Sequence, residues 1–221
     1  MKAASGQLDK TPLVLREQLL FPYARGLAFV AHFLKHHSWK RIDEIYAKPP
    51  LSTEHILHPG KYETYELPDA ITAAPLPSLS GYKTAYDNVM GEFGLVILLR
   101  QHGVVDERAQ LAAMGWGGDR LVVYTPPGHK GKVGGTVGVL YTVWDDVADA
   151  IEFYESLSYV MPRLATGKVM TRSDTRVDYE MRGGSIAIAE RNGDAVLVVL
   201  GAPPARSDDV RAETWKRWQR K

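Results

Sequence analysis

A chain of 221 residues, 45% hydrophobic and 24% charged, has material for one good-sized core or two small ones sharing an interface. Its 27 basic and 26 acidic residues are spread along the sequence and leave a formal net charge of +1, which argues against a nucleic-acid surface. The absence of cysteine excludes disulfides, thiolate-bound zinc, iron–sulfur clusters and a thiol nucleophile, while leaving the compartment open.

The opening MKAASGQLDK has no apolar stretch of the kind a signal peptide needs. No window approaches the ~20 apolar residues of a membrane span. The expectation is a soluble protein, cytoplasmic by default, with neither membrane nor nucleic acid as partner. From Thr11 to about His37 the apolar spacing is helical, with Thr11 as cap and Pro12 in the first turn. Pro22 is expected to break or kink that run, so that Leu27, Phe29, Val30, Phe33 and Leu34 form a second helix. Ser38 opens a further helix with Trp39, Ile42, Ile45 and Tyr46 as its apolar stripe.

Residues 48–82 are proline-rich and aperiodic, and read as a long irregular connection. Helical spacing returns from Tyr86 to His102 and again from Asp106 to Met114. The period then changes to two. DRLVVYTP and GTVGVLYTVWD read as paired strands joined by the Gly-rich stretch 128–135. An amphipathic helix follows from about Asp145 to Tyr159, with Val147, Ala150, Ile151, Tyr154 and Leu157 on one face. RVDYEMRGG, SIAIAERNGD and AVLVVLG read as strands, with a hairpin turn at Asn192-Gly193. The tail SDDVRAETWKRWQRK reads as a capped, basic helix. These elements predict an α+β fold: an N-terminal helical layer, then a ββαβ(β) antiparallel sheet with a helix packed on one face. Residues 1–114 form the helical region and 115–221 the α+β region, integrated as one domain.

The chemistry-bearing residues fall into four groups. His32 and His36, at i and i+4, could share one metal ion, but Phe33 stands where a zinc-protease helix needs Glu, and a structural pair is the simpler reading. STEHILHPGKY, residues 52–62, concentrates Glu54, His55, His58, Lys61 and Tyr62. Either Glu54 and His58 act as acid and base, with His55 and His58 as possible metal ligands, or the polar groups pin a loop. Glu92 begins the most apolar helix, and must be paired or lie at the water boundary. Trp116, Asp119 and Arg120 of GWGGDR could bind a ligand, or Asp119 and Arg120 could form an ion pair over the indole. The hydrolase elbow, the phosphate loop and the dinucleotide fingerprint are all missing from the sequence.

FPYARGLAFVAHFLKHHSWKRIDEIYAKPPLSTEHILHPGKY, GEFG, AAMGWGGDRLVVY and TVWDDVADAIEFYESL occur in that order. The set resembles the C-terminal region of a family of bacterial gluzincin-type zinc metallopeptidases, over roughly residues 15–160. In that family the loop reads close to STEQILHPxKY, and the zinc-binding HExxH helix and a Glu-bearing helix lie upstream. No HExxH occurs here, so no zinc ligand or catalytic Glu carries over to any residue. The resemblance implies a metallopeptidase-related module without its own zinc site, acting as a non-catalytic binding or partner subunit and needing no cofactor. The alternative is a hydrolase with an acid/base or metal site built from Glu54, His58, Glu92, Asp119 and Arg120. The loop is expected to fold back on the helical layer through contacts of Glu54 and His58 with Glu92, or with Asp119 and Arg120. A face left by missing zinc helices would expose Leu15, Leu19, Leu20, Phe21, Phe29 and Phe33, and imply a homodimer or a zinc-bearing partner chain.

Overall fold

The computed structural model describes residues 11–129 and 134–221. The first helix, α1 (Leu13–His36), runs through Pro22 without interruption. Pro22 removes the bond that Gln18 would accept, but both residues are exposed and water can serve the freed carbonyl. The expected break is therefore absent. Pro12, not Thr11, occupies the N-cap position. Next comes α2 (Trp39–Ala47), preceded by Ser38 as expected. It buries Ile42 and Ile45, while Trp39 and Tyr46, which were expected in the same stripe, are 69% and 83% exposed and lie outside the buried face. Phe29, Phe33, Ile42, Ile45 and Tyr62 form a small core of their own, so Phe29 and Phe33 are buried and do not belong to the exposed face expected of them.

The connection is more ordered than its composition suggests. It contains α3 (Thr53–Leu57), α4 (Pro59–Thr64), a short strand β1 (Ile71–Thr72) and a 3-10 turn at Pro77–Leu79. The prolines punctuate short elements here; Pro59, for example, opens α4, where its missing N–H costs nothing.

Residues Lys83–Asn88 form strand β2, although a helix was expected to begin within them. All six are exposed, so the strand has no buried face to impose alternation on its sequence. Its backbone pairing with β3 (Trp116–Thr125) holds it at the sheet edge. Helices α5 (Gly91–Gln101) and α6 (Asp106–Ala113) lie between the two strands. Then follow β4 (Val137–Trp144), α7 (Val147–Leu164), β5 (Lys168–Arg172), β6 (Arg176–Glu180), β7 (Ile186–Asn192), β8 (Ala195–Ala202), α8 (Ser207–Arg217) and β9 (Gln219–Arg220). The seven-stranded sheet has the order β2-β3-β4-β8-β7-β6-β5, and every neighbouring pair is antiparallel. β9 pairs separately with β1. The α+β class and antiparallel sheet agree with the expectation. The β7–β8 turn is displaced by one residue: Asn192 pairs with Ala195, leaving Gly193 and Asp194 as the loop.

The sheet is covered on both faces, where one was expected. Val196 and Val198 of β8 enter the core under α5, α6 and α7, whereas Ala195, Leu197 and Val199 enter the opposite core with Val210 of α8 and Leu76 and Leu79 of the connection. This two-sided burial explains the unbroken apolar run AVLVVL. On α7 the buried face is Ala150, Phe153, Tyr154, Leu157 and Val160; Val147 and Ile151 sit at its exposed margin. Leu95, Leu99 and Ala109 of α5 and α6 share the first core with the sheet, so the hydrophobic interior crosses residue 115.

Candidate functional site

Ser52 caps α3 through its hydroxyl, which accepts from the His55 N–H at 3.3 Å. His58 ends α3 and begins α4, and its side chain is directed to the first turn of α5. There His58 Nε2 lies 2.8 Å from Glu92 Oε1. Glu92 is 3% exposed, and its other oxygen, Oε2, has no hydrogen-bond partner among the described residues. The hydrogen bond to Glu92 raises the His58 pKa above the ordinary histidine value, against the opposing effect of burial.

The base of α5 is held from two sides. Asp119 of β3 is buried and accepts from the Met90 and Gly91 N–H groups, both at 2.8 Å, and from Trp116 Nε1 at 3.0 Å. These are helix-terminal donors that have no partner within the helix. Burial raises the Asp119 pKa, and the donated hydrogen bonds work against that rise. Thr53 Oγ1 accepts from the Phe93 N–H at 3.3 Å. Gly91 has φ +71°, and a Cβ there would meet Thr53 Oγ1 at 2.8 Å, so glycine permits this close approach.

A second knot surrounds Lys61. Its ammonium donates to Glu54 at 2.7 Å, Glu66 at 3.0 Å and Asp145 at 2.6 Å. Glu54 is 2% exposed, and burial pushes its carboxyl up to about 7 despite the lysine. Burial pulls Lys61 down, but its bonds to Asp145, Glu54 and Glu66 prevail and the net shift is upward. Both knots are one electrostatic system, since His58 responds to Glu92, Glu54 and Lys61.

The site therefore gathers Glu54, His58, Lys61 and Glu92; His58 meets Glu92 as expected, whereas Glu54 pairs with Lys61 and not with Glu92, Asp119 or Arg120. It separates the others. Asp119 serves the backbone of α5 and makes no ion pair with Arg120; Arg120 instead pairs with Asp87 of β2 at 2.5 Å. Trp116 is buried, so the indole offers a ligand no surface. Tyr62 is also buried, and its hydroxyl donates to the Lys48 carbonyl at 2.7 Å.

The zinc that the resembling family binds does not fit these residues. His55 donates from Nε2 to the Glu66 carbonyl at 2.6 Å and accepts the Leu51 N–H on Nδ1 at 3.3 Å, which engages both ring nitrogens. His58 Nε2 is engaged by Glu92, and no metal-sized group of three donors among the described residues includes His58. His32 and His36 have rings 5.7 Å apart, but His32 faces Glu63 and no third donor joins them among the described residues. The one metal-sized cluster among the described residues, Glu54, Glu66 and Asp145, is all carboxylate, a set suited to harder cations than zinc. The Lys61 ammonium already occupies its centre.

Beside the His58–Glu92 pair lies a cleft of about 440 Å³ between α1, α5 and α6. Phe21 and Phe93, with ring centroids 4.1 Å apart, form part of its wall. Arg25 and Arg100 also line it. Arg100 is paired with Glu17 and Asp106. These lining residues carry no motif, and only the packing of α1 against α5 brings them to His58.

The fold is a seven-stranded antiparallel α+β domain with helices on both faces and a helical front that carries the cleft. Residues 80–211 match a domain of unknown function, DUF8575, and the chain belongs to that family. No curated protein and no solved structure matches the chain. The matched span contains Glu92, Asp119 and Arg120, whereas Glu54, His58 and Lys61 lie before it.

Proposed function

We propose that the chain is a binding module related to gluzincin-type metallopeptidases, without a zinc site of its own, that docks a zinc-bearing partner chain against the outer face of α1. The observation that carries this reading is a row of uncovered side chains at four-residue spacing. Leu15, Leu19, Tyr23 and Leu27 are all more than half exposed. Such an i+4 row is the ridge that one helix inserts into the groove of another. Exposed apolar patches mark interaction sites when they are contiguous. The partner is therefore helical, in keeping with the zinc-bearing helices that stand near this region in the resembling family. The cleft that α1 also lines, with its half-buried His58 and buried Glu92, receives a polar group of the same partner.

Light scattering and apolar-dye binding, measured on the same samples, test this reading. The ridge predicts either self-association in place of the absent partner, or a monomer that binds the dye and loses it in a Leu19→Asp, Leu27→Asp variant. A monomer that binds no dye contradicts it.

An acid/base hydrolase is the second reading, and one observation favours it. A carboxylate 2.8 Å from an imidazole is the pair that orients a general base. Among the described residues lining the cleft there is no Ser, Thr or Tyr, so water would be the nucleophile. A hydrolytic activity abolished by His58→Ala would support this second reading over the first.

A further inference from the structure

A second hollow, of about 460 Å³, lies between α7 and the turn joining β5 to β6, away from the helical front. Its polar lining is rich in donors. Tyr154 and Ser158 come from α7, Arg172 from β5 and Arg191 from β7. The Arg172 side chain has no hydrogen bond or salt bridge among the described residues. Arg191 donates from Nη1 to the Gly193 carbonyl at 3.1 Å, yet its Nε–H is buried without an acceptor.

Four buried side-chain atoms lack a partner among the described residues; two of them, Arg191 Nε and Ser158 Oγ, belong to residues that line this hollow, and a third, the Tyr179 hydroxyl, is close enough to act on Tyr154. Each can donate a hydrogen bond. Buried polar groups are ordinarily satisfied, so a concentration of orphan donors calls for an acceptor from outside the chain. Electrostatics agree. Burial raises the Tyr154 hydroxyl, while Ser158, Arg172 and Arg191 act in the opposite direction. Two carboxylates, Glu155 and Asp174, also line the hollow and limit how much negative charge it accepts.

We propose that this hollow is a binding site for a small oxyanion of low charge, a carboxylate or a phosphate group, held by the Arg191 Nε–H, the Ser158 hydroxyl and the Arg172 guanidinium. Arginine suits this role because its planar donors match two oxygens of one group. Polyphosphates and nucleic acid are disfavoured by Glu155 and Asp174. The site is independent of the His58–Glu92 cleft and of any partner on α1.

The experiment is a titration of the full chain with acetate and, separately, inorganic phosphate, followed by the Arg191 Nε–H and Ser158 amide resonances. Saturable shifts of both signals are expected with at least one anion, and which one does so identifies the class. Arg172→Ala, an exposed change on an edge strand, should weaken binding about tenfold, the scale of one lost charged contact. Arg191→Lys, which keeps the charge and removes the planar fork, should weaken it similarly at the Ser158 amide. Shifts that never saturate with either anion, or affinities unchanged in both variants, overturn the proposal.

Discussion

His58 and Glu92 show how much of a contact depends on one buried oxygen. Replacing His58 by Ala strips Glu92 of its partner while leaving the carboxylate 3% exposed. A loss of about 1–3 kcal/mol is expected in denaturant unfolding, and Asn, which retains a donor, should recover part of it. The pH dependence follows from direction. The His58 pKa is raised in the folded state, so its contribution is fully present below 6.5 and declines as pH rises through the higher folded value. The Glu54 pKa is raised from 4.5 to about 7, so the folded state also holds that proton more firmly, and its contribution disappears between those values. Both groups therefore make stability fall as pH rises from about 5 to 8, a trend read directly from unfolding midpoints across that range. Lys61→Met should cost about 3 kcal/mol at pH 8, where Glu54 is ionised and buried, and clearly less at pH 5, where it is protonated. Equal losses at the two pH values would contradict the placement of Glu54. The contact of His58 with Glu92 was one of two expected for the loop, legible because a carboxylate opening an apolar helix needs a partner and the loop is dense in polar groups. The Lys61 knot was not, because Asp145 reaches it from the far side of the sheet sequence.

At the scale of elements, the legible parts are those whose side chains divide between core and water. α7 follows its apolar period, whereas β8 was legible as an unbroken apolar run because both its faces are buried. β2 has no such signal, since none of its six residues is buried and backbone pairing alone holds it. The short helices of the connection were hidden by their prolines, and α1 continues through Pro22 because the freed carbonyl is exposed. The role of Asp119 was also misread: the sequence offered Arg120 as its neighbour, but β-strand alternation sends the two side chains to different surroundings. Asp119→Ala removes the acceptor of three donors at the base of α5. A destabilisation of about 3 kcal/mol or more is expected, and Asn should restore only part of it because one oxygen becomes a donor. Since α5 carries Glu92, the same change should shift the His58 titration followed by NMR. An unaltered His58 titration would show that α5 is held in place by packing alone.

The whole molecule combines a two-faced sheet with a helical front that rests on a much smaller core. Five residues, Phe29, Phe33, Ile42, Ile45 and Tyr62, supply that third cluster. Local stability should follow this difference: amides of α1 and α2 are expected to exchange with solvent well before those of β4, β7 and β8. Uniform protection across the chain would contradict it. A partner bound along the Leu15–Leu27 ridge would slow exchange in α1 by covering it. In the proposed function this chain joins such a partner without holding zinc itself. The zinc content of the full chain purified without chelators tests this. Far less than one zinc per chain is expected. One tightly held zinc per chain would contradict it.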